Sequence, residues 1–174
     1  MLKYIYFILS GITSVVMFYL FEDNNEGEKY LFYLYTLLIG VPFLISILIV
    51  RYKSLTLFGI GYILIAGIAL WGACAYASFL SFGLATPILG AISAHLINQI
   101  TFWNVEFSTK KNFLYPLIGF SSSLIGVLFF WKFYEDYESK NLWLVLPVFL
   151  WQISIGYLIV RKEKLILKNE RNHK

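Results

Sequence analysis

Between Lys53 and Glu106 the chain carries no Asp, Glu, Lys or Arg. A helix crosses a hydrocarbon core of about 30 Å with about 20 mostly apolar residues. The stretch is too long for one crossing and suits two, joined by a tight connection. The break falls near Ser78–Thr86, where Ser81, Gly83 and the Thr86-Pro87 pair supply turn chemistry. Pro87 suits the first turn of the following helix, where its missing N–H costs nothing.

Charge-free runs elsewhere extend the same reading to six spans, at about 2–21, 30–50, 56–77, 87–105, 113–131 and 142–160, followed by a basic tail over 161–174. Hydrophobic residues are 59% of the chain and charged ones 14%, against roughly 45–50% and about 25% in soluble domains. A soluble domain of this size hides only about 70% of its chain's surface, so the excess apolar surface calls for lipid. Helices are expected rather than barrel strands. In lipid the backbone must bond within its own segment, and barrel strands alternate polar with apolar residues. Here Phe43-Leu44-Ile45 and Leu128-Phe129-Phe130 are apolar on every side. The first span reads as a retained helix. Its apolar region exceeds the roughly 7–15 residues of a secretory signal, and Phe21-Glu22-Asp23-Asn24 follows it instead of a small-residue cleavage site. The expected fold is an all-α integral membrane protein, a bundle of six transmembrane helices arranged as three hairpins.

Cytoplasmic loops collect Lys and Arg. With the N-terminus inside, the inner set is Lys3, Arg51, Lys53, Lys110, Lys111, Arg161, Lys162, Lys164, Lys168, Arg171 and Lys174. The outer set is only Lys29, Lys132 and Lys140, while Glu22, Asp23, Glu26, Glu28, Glu135, Asp136 and Glu138 also fall outside. The opposite orientation reverses this bias at every loop, so both termini are expected to be cytoplasmic. Tyr4, Tyr6, Tyr19, Tyr30, Trp103, Trp131, Tyr134 and Trp143 lie near the proposed interfaces, where Tyr and Trp prefer the headgroup level. Leu48-Ile49-Val50-Arg51 recurs as Leu158-Ile159-Val160-Arg161, the kind of internal echo that transporters built on repeats display.

The spans use nearly the whole chain, which excludes an appended catalytic, nucleotide-binding or nucleic-acid-binding domain. No phosphate-cradling glycine motif, His-Glu-x-x-His or Gly-x-Ser-x-Gly occurs. The one cysteine, Cys74, allows no internal disulfide and no cysteine-based metal site. No cofactor is implied. The basic tail reads as a topology signal resting on anionic headgroups. The acidic outer loops do not match a calcium-loop spacing.

The fourth span breaks the monotony with Ser93, His95, Asn98, Gln99 and Thr101. His95, Asn98, Gln99 and Phe102 are three or four residues apart, on one helical face. Polar side chains at this depth are expected to face the bundle interior. His95, Asn98, Gln99 and Ser93, with Gln152 of the sixth span, are the candidate ligand-binding residues. Gln152, Ser154 and Ser121, Ser122 and Ser123 would complete a polar cavity if they faced His95. The competing reading makes them glue between helices, at about 0.6–2 kcal/mol per hydrogen bond. In the third span Ala69, Ala73 and Ala77 recur every four residues, a pattern expected to pack closely on a neighbouring helix.

These features lead to transport or binding of a small solute within the bilayer. The alternative is a non-catalytic accessory or immunity-type membrane protein that acts by occupying a partner. Six short spans can enclose a path by self-assembly or with a membrane-protein partner. An intramembrane enzyme ranks below both. It wants a nucleophile–base pair or a ligand cluster, and a dyad of Cys74 and His95 is the one arrangement on offer.

Overall fold

The computed structural model describes residues 2–23, 29–80, 85–103, 112–133 and 142–172. Glu106, residues 81–84 where a turn is expected, and most of the two acidic connections lie outside them. Among the described residues six α-helices follow one another: α1 (Leu2–Asp23), α2 (Lys29–Arg51), α3 (Leu57–Leu80), α4 (Thr86–Thr101), α5 (Leu114–Phe133) and α6 (Leu142–Asn172), with a short 3-10 turn at Tyr52–Ser54 before α3. No strand occurs among the described residues. Pro87 stands in the first turn of α4, where the sequence places it. Pro147 lies inside α6 and Pro42 inside α2, and each removes a ladder bond there.

Each helix packs against the next, and α6 returns to α1, so the six close into a ring. Both α2 and α4 also reach α6, which makes α6 the central element. The contacts between hairpins are as intimate as those within them. A Cβ on Gly119 of α5 would meet the Gly90 carbonyl and Ala94 of α4, and one on Gly126 would meet Pro147 of α6. Gly156 of α6 lies against Phe7 of α1 in the same way.

Directions alternate around the ring. The Lys3 ammonium donates to the Val50 carbonyl at 2.8 Å, Trp103 after α4 stacks edge-on with Phe58 and Tyr62 of α3, and Asn112 before α5 meets Asn98 near the end of α4. One end of the ring therefore gathers the starts of α1, α3 and α5 and the ends of α2 and α4. At this end α6 does not stop. It runs on to Asn172, about 18 Å past Val160 at 1.5 Å per residue.

The apolar core is centred on Phe7, Phe43, Ile47, Trp151, Ile155 and Ile159. Phe43 contacts Phe7 and Trp151 in tilted ring pairs at 5.3 and 5.2 Å. Much of the remaining apolar surface points outward. Ile5, Leu9, Ile12, Ile45, Leu57, Phe58, Ile65, Ile88, Leu117 and Leu128 are all exposed, Ile65 at 75%. The small-residue stripe of α3 departs in part from expectation: Ala69 and Ala73 are exposed, and Ala77 is half-buried. Instead α3 approaches α2 where Gly67 meets Leu44 and where Trp71 lies over Gly40.

Among the described residues one helix, α3, is long and apolar enough to cross a membrane, over Leu57–Cys74 with a mean hydropathy of 2.0. Lys3–Met17 and Leu114–Leu128 are shorter apolar stretches. The α4 helix has 16 residues, about 24 Å, shorter than the span expected over 87–105.

Candidate functional site

The five candidate residues do not form one site. Gln152, 0% exposed, faces α1 rather than α4. Its amide nitrogen donates to the Ser14 hydroxyl at 3.0 Å and lies 3.5 Å from the Ile39 carbonyl of α2. Its amide oxygen accepts from Ser10 at 3.2 Å. The Ser14 hydroxyl in turn donates to the Ile39 carbonyl at 2.8 Å. This network joins α1, α2 and α6 one turn before Pro42, and each of its polar groups has a partner. Ser93 is buried and donates within its own helix, to the Gly90 carbonyl. Ser121 and Ser122 likewise bond back to their own helix. The expected convergence of these groups on His95 does not occur.

The polar face of α4 splits. Successive residues on a helix are about 100° apart, so Asn98 and Gln99 diverge on either side of His95. Asn98 turns inward and is fully buried, whereas Gln99 is exposed and His95 half-buried. The side-chain nitrogens of Gln99 and His95 are 2.9 Å apart. The expectation that Gln99 and His95 point into the bundle therefore gives way to a pair on its outside. No hydrogen bond joins His95 to Cys74, which is half-buried, and the described residues hold no group of three or more His, Cys, Asp or Glu able to share a metal ion.

Asn98 belongs instead to a polar cluster where α2, α4, α5 and α6 converge at the basic end. Arg51 and Glu163 are 1% and 2% exposed and form an ion pair, Nε to Oε2, at 3.0 Å. Arg51 also donates to the Thr101 carbonyl, and its guanidinium lies 4.6 Å from the Phe102 ring centre. Ser54 donates to the other Glu163 oxygen at 3.2 Å. A buried charge pair is tolerable only when its remaining polar capacity is met in this way.

Beside it, the Lys162 ammonium donates to the side-chain oxygens of Asn98 at 3.0 Å and Asn112 at 3.4 Å. It sits 4.5 Å from the Phe102 ring centre and 5.9 Å from that of Tyr115, within the range of cation–π attraction. Burial first, and the nearby Arg51 charge second, push its pKa down to about 8. Two hydroxyls at this cluster, Thr101 Oγ1 and Tyr115 Oη, are buried and have no hydrogen-bond partner among the described residues.

Of the cluster, sequence reasoning nominated only Asn98. Arg51 and Lys162 were counted as markers of sidedness. Arg51 and Arg161, matched in the sequence echo, lie in opposite environments, the first buried and the second exposed. The available signal was Glu163, a single acid set directly beside Arg161, Lys162 and Lys164.

No family model matches this chain, nor does any curated protein or solved structure.

Proposed function

We propose that this chain is a multi-pass cell-membrane protein, both ends cytoplasmic, that binds a small polar solute at the basic end of its helix ring. The membrane part is supported by an inversion of the usual protein pattern. Arg51, Asn98, Thr101, Gln152 and Glu163 are within 2% of complete burial, while Ile5, Leu9, Phe58, Ile65 and Leu128 are about half or more exposed. Polar interior and apolar exterior are the arrangement that an acyl-chain solvent favours. The orientation follows from the basic residues gathered at the end where Lys3, Arg51 and Lys162 meet.

The solute-binding part is carried by the Thr101 and Tyr115 hydroxyls. A buried polar group left unpaired costs about 1–3 kcal/mol, and both lie in a cluster that already offers an ammonium and two carboxamides. A small oxygen-bearing solute would meet these groups together. Transport would follow if the solute passes on from this cluster along the ring.

The isosteric substitutions Tyr115→Phe and Thr101→Val test this directly in detergent-solubilised protein. Thermal unfolding is measured with inorganic phosphate, short dicarboxylates and polyols. At least one solute class is expected to raise the Tm of the wild type. The substitutions should leave the ligand-free Tm unchanged or higher and abolish that increment. A Tm indifferent to every solute, or an increment that survives both substitutions, overturns the proposal.

A second reading, an accessory protein acting through a partner, is favoured by the Gln152 network. It fills the middle of the ring with polar groups that satisfy one another, which suits a protein that works by its outer surface. Stoichiometric co-purification of another membrane protein, undiminished by Tyr115→Phe, would favour it.

A further inference from the structure

We infer that the outer face of α4, centred on His95 and Gln99, is where two copies of this chain meet within the bilayer. The inference rests on the membrane reading but not on solute binding.

Ile88, Ile92, His95, Gln99 and Trp103 follow at spacings of four, three, four and four, along one side of α4 and the turn after it. All but His95 are exposed, and His95 is half-exposed. The middle of this apolar stripe is interrupted by the hydrogen-bonded pair. With Gln99 donating from its amide to the imidazole Nε2, the ring proton resides on Nδ1. That N–H, the second amide N–H and the carboxamide oxygen then have no partner among the described residues. His95 is about 12 Å along the helix from Trp103, too deep for water to serve.

What covers this face must supply both a donor and an acceptor. Acyl chains supply neither. A second copy related by a two-fold axis supplies both at once, because a carboxamide is its own complement and an isologous contact brings like residues together.

The neighbouring helix supports this occupant. Tyr62 of α3 meets Trp103 of α4. From that anchor Ala69 rises about 10 Å along α3, to the level of His95 on the antiparallel α4. Ala69 and Ala73 are exposed there. Small residues spaced by four let helices from two molecules approach closely, which a two-point carboxamide contact requires.

The test uses the full chain with Cys74→Ser, reconstituted in vesicles of neutral lipid and followed by energy transfer between labelled copies as protein is diluted in lipid. In parallel, Ile92→Cys in that background is oxidised. We expect a reversible dimer and an Ile92→Cys cross-link. Gln99→Leu should raise the dissociation midpoint about tenfold or more, since each copy loses a polar contact. Phe120→Leu, on the outside of α5, should leave it unchanged. Gln99 is exposed, so its replacement does not threaten the fold. A wild type that stays monomeric at all dilutions, or a dimer indifferent to Gln99→Leu combined with His95→Leu, overturns the inference. Alkaline extraction of the same vesicles separates the two levels. Protein that stays with lipid but is monomeric refutes the dimer alone, and protein that is released refutes the membrane reading beneath it.

Discussion

Glu163 stands in a stretch that reads residue by residue as a solvated basic tail, yet it is among the most deeply buried side chains in the molecule. Its partner is Arg51, 112 positions earlier. Removing one member strands the other. Glu163→Ala is therefore expected to lose about 3–5 kcal/mol, measured by equilibrium unfolding in detergent. The double replacement Arg51→Met with Glu163→Leu should recover most of that loss. Charge counting in the sequence found which end of the bundle collects cations. It did not find which of them are buried, because burial depends on where α6 lies relative to α2. Lys162 gives a pH signature. Its folded pKa lies near 8, below its ordinary 10.5, so between these values the unfolded chain holds more protons and stability rises with pH. Below about pH 8 both states are charged and the burial penalty is constant. The Tm difference between wild type and Lys162→Met should therefore shift in favour of wild type from pH 8 towards pH 10 and stay flat between pH 6 and 7.

Helix positions were legible because charges and Pro87 punctuate the chain, but helix faces were not. A helix that is apolar on all sides has no contrast from which to read a direction. Thus Ala69 and Ala73 of the alanine stripe on α3 stay outside, while the close approach of α4 to α5 rests on Gly90 and Gly119, which belong to no obvious stripe. Gly119→Ala drives a methyl group into the Gly90 carbonyl and Ala94. We expect a loss of about 1–3 kcal/mol, read as a lower Tm in detergent. Gly61→Ala meets nothing within 4 Å and should be neutral or slightly stabilising, since alanine is the better helix former. The divergence of Asn98 and Gln99 is a similar case. Spacing alone groups them with His95, and only the rotation of α4 within the ring decides which turns inward.

At the scale of the whole molecule, the surface chemistry separates the membrane reading from a soluble one. Ile65 is 75% exposed, and in water its replacement by lysine would be harmless. In lipid a lysine at mid-span costs about 2.5–3.5 kcal/mol. Ile65→Lys is expected, on the membrane reading, to reduce the membrane-integrated fraction on expression several-fold, measured by alkaline extraction, with Tyr52→Lys at the exposed turn before α3 as a neutral control.

Closure of the ring joins the two ends of the polypeptide, and this fixes an order of events during synthesis. Ser10 and Ser14 are made early, but Gln152, which answers them, is 142 and 138 residues later. At about 5–20 residues per second the ribosome needs roughly 7–30 s to span that interval. Throughout it, Ser10 can only fold back on the Phe7 carbonyl of its own helix, while Ser14 has the Ile39 carbonyl of α2 to bond but not the Gln152 amide. A chain truncated before α6 should accordingly lack the Gln152 partner of α1 and be degraded faster than the full chain, measured by pulse-chase.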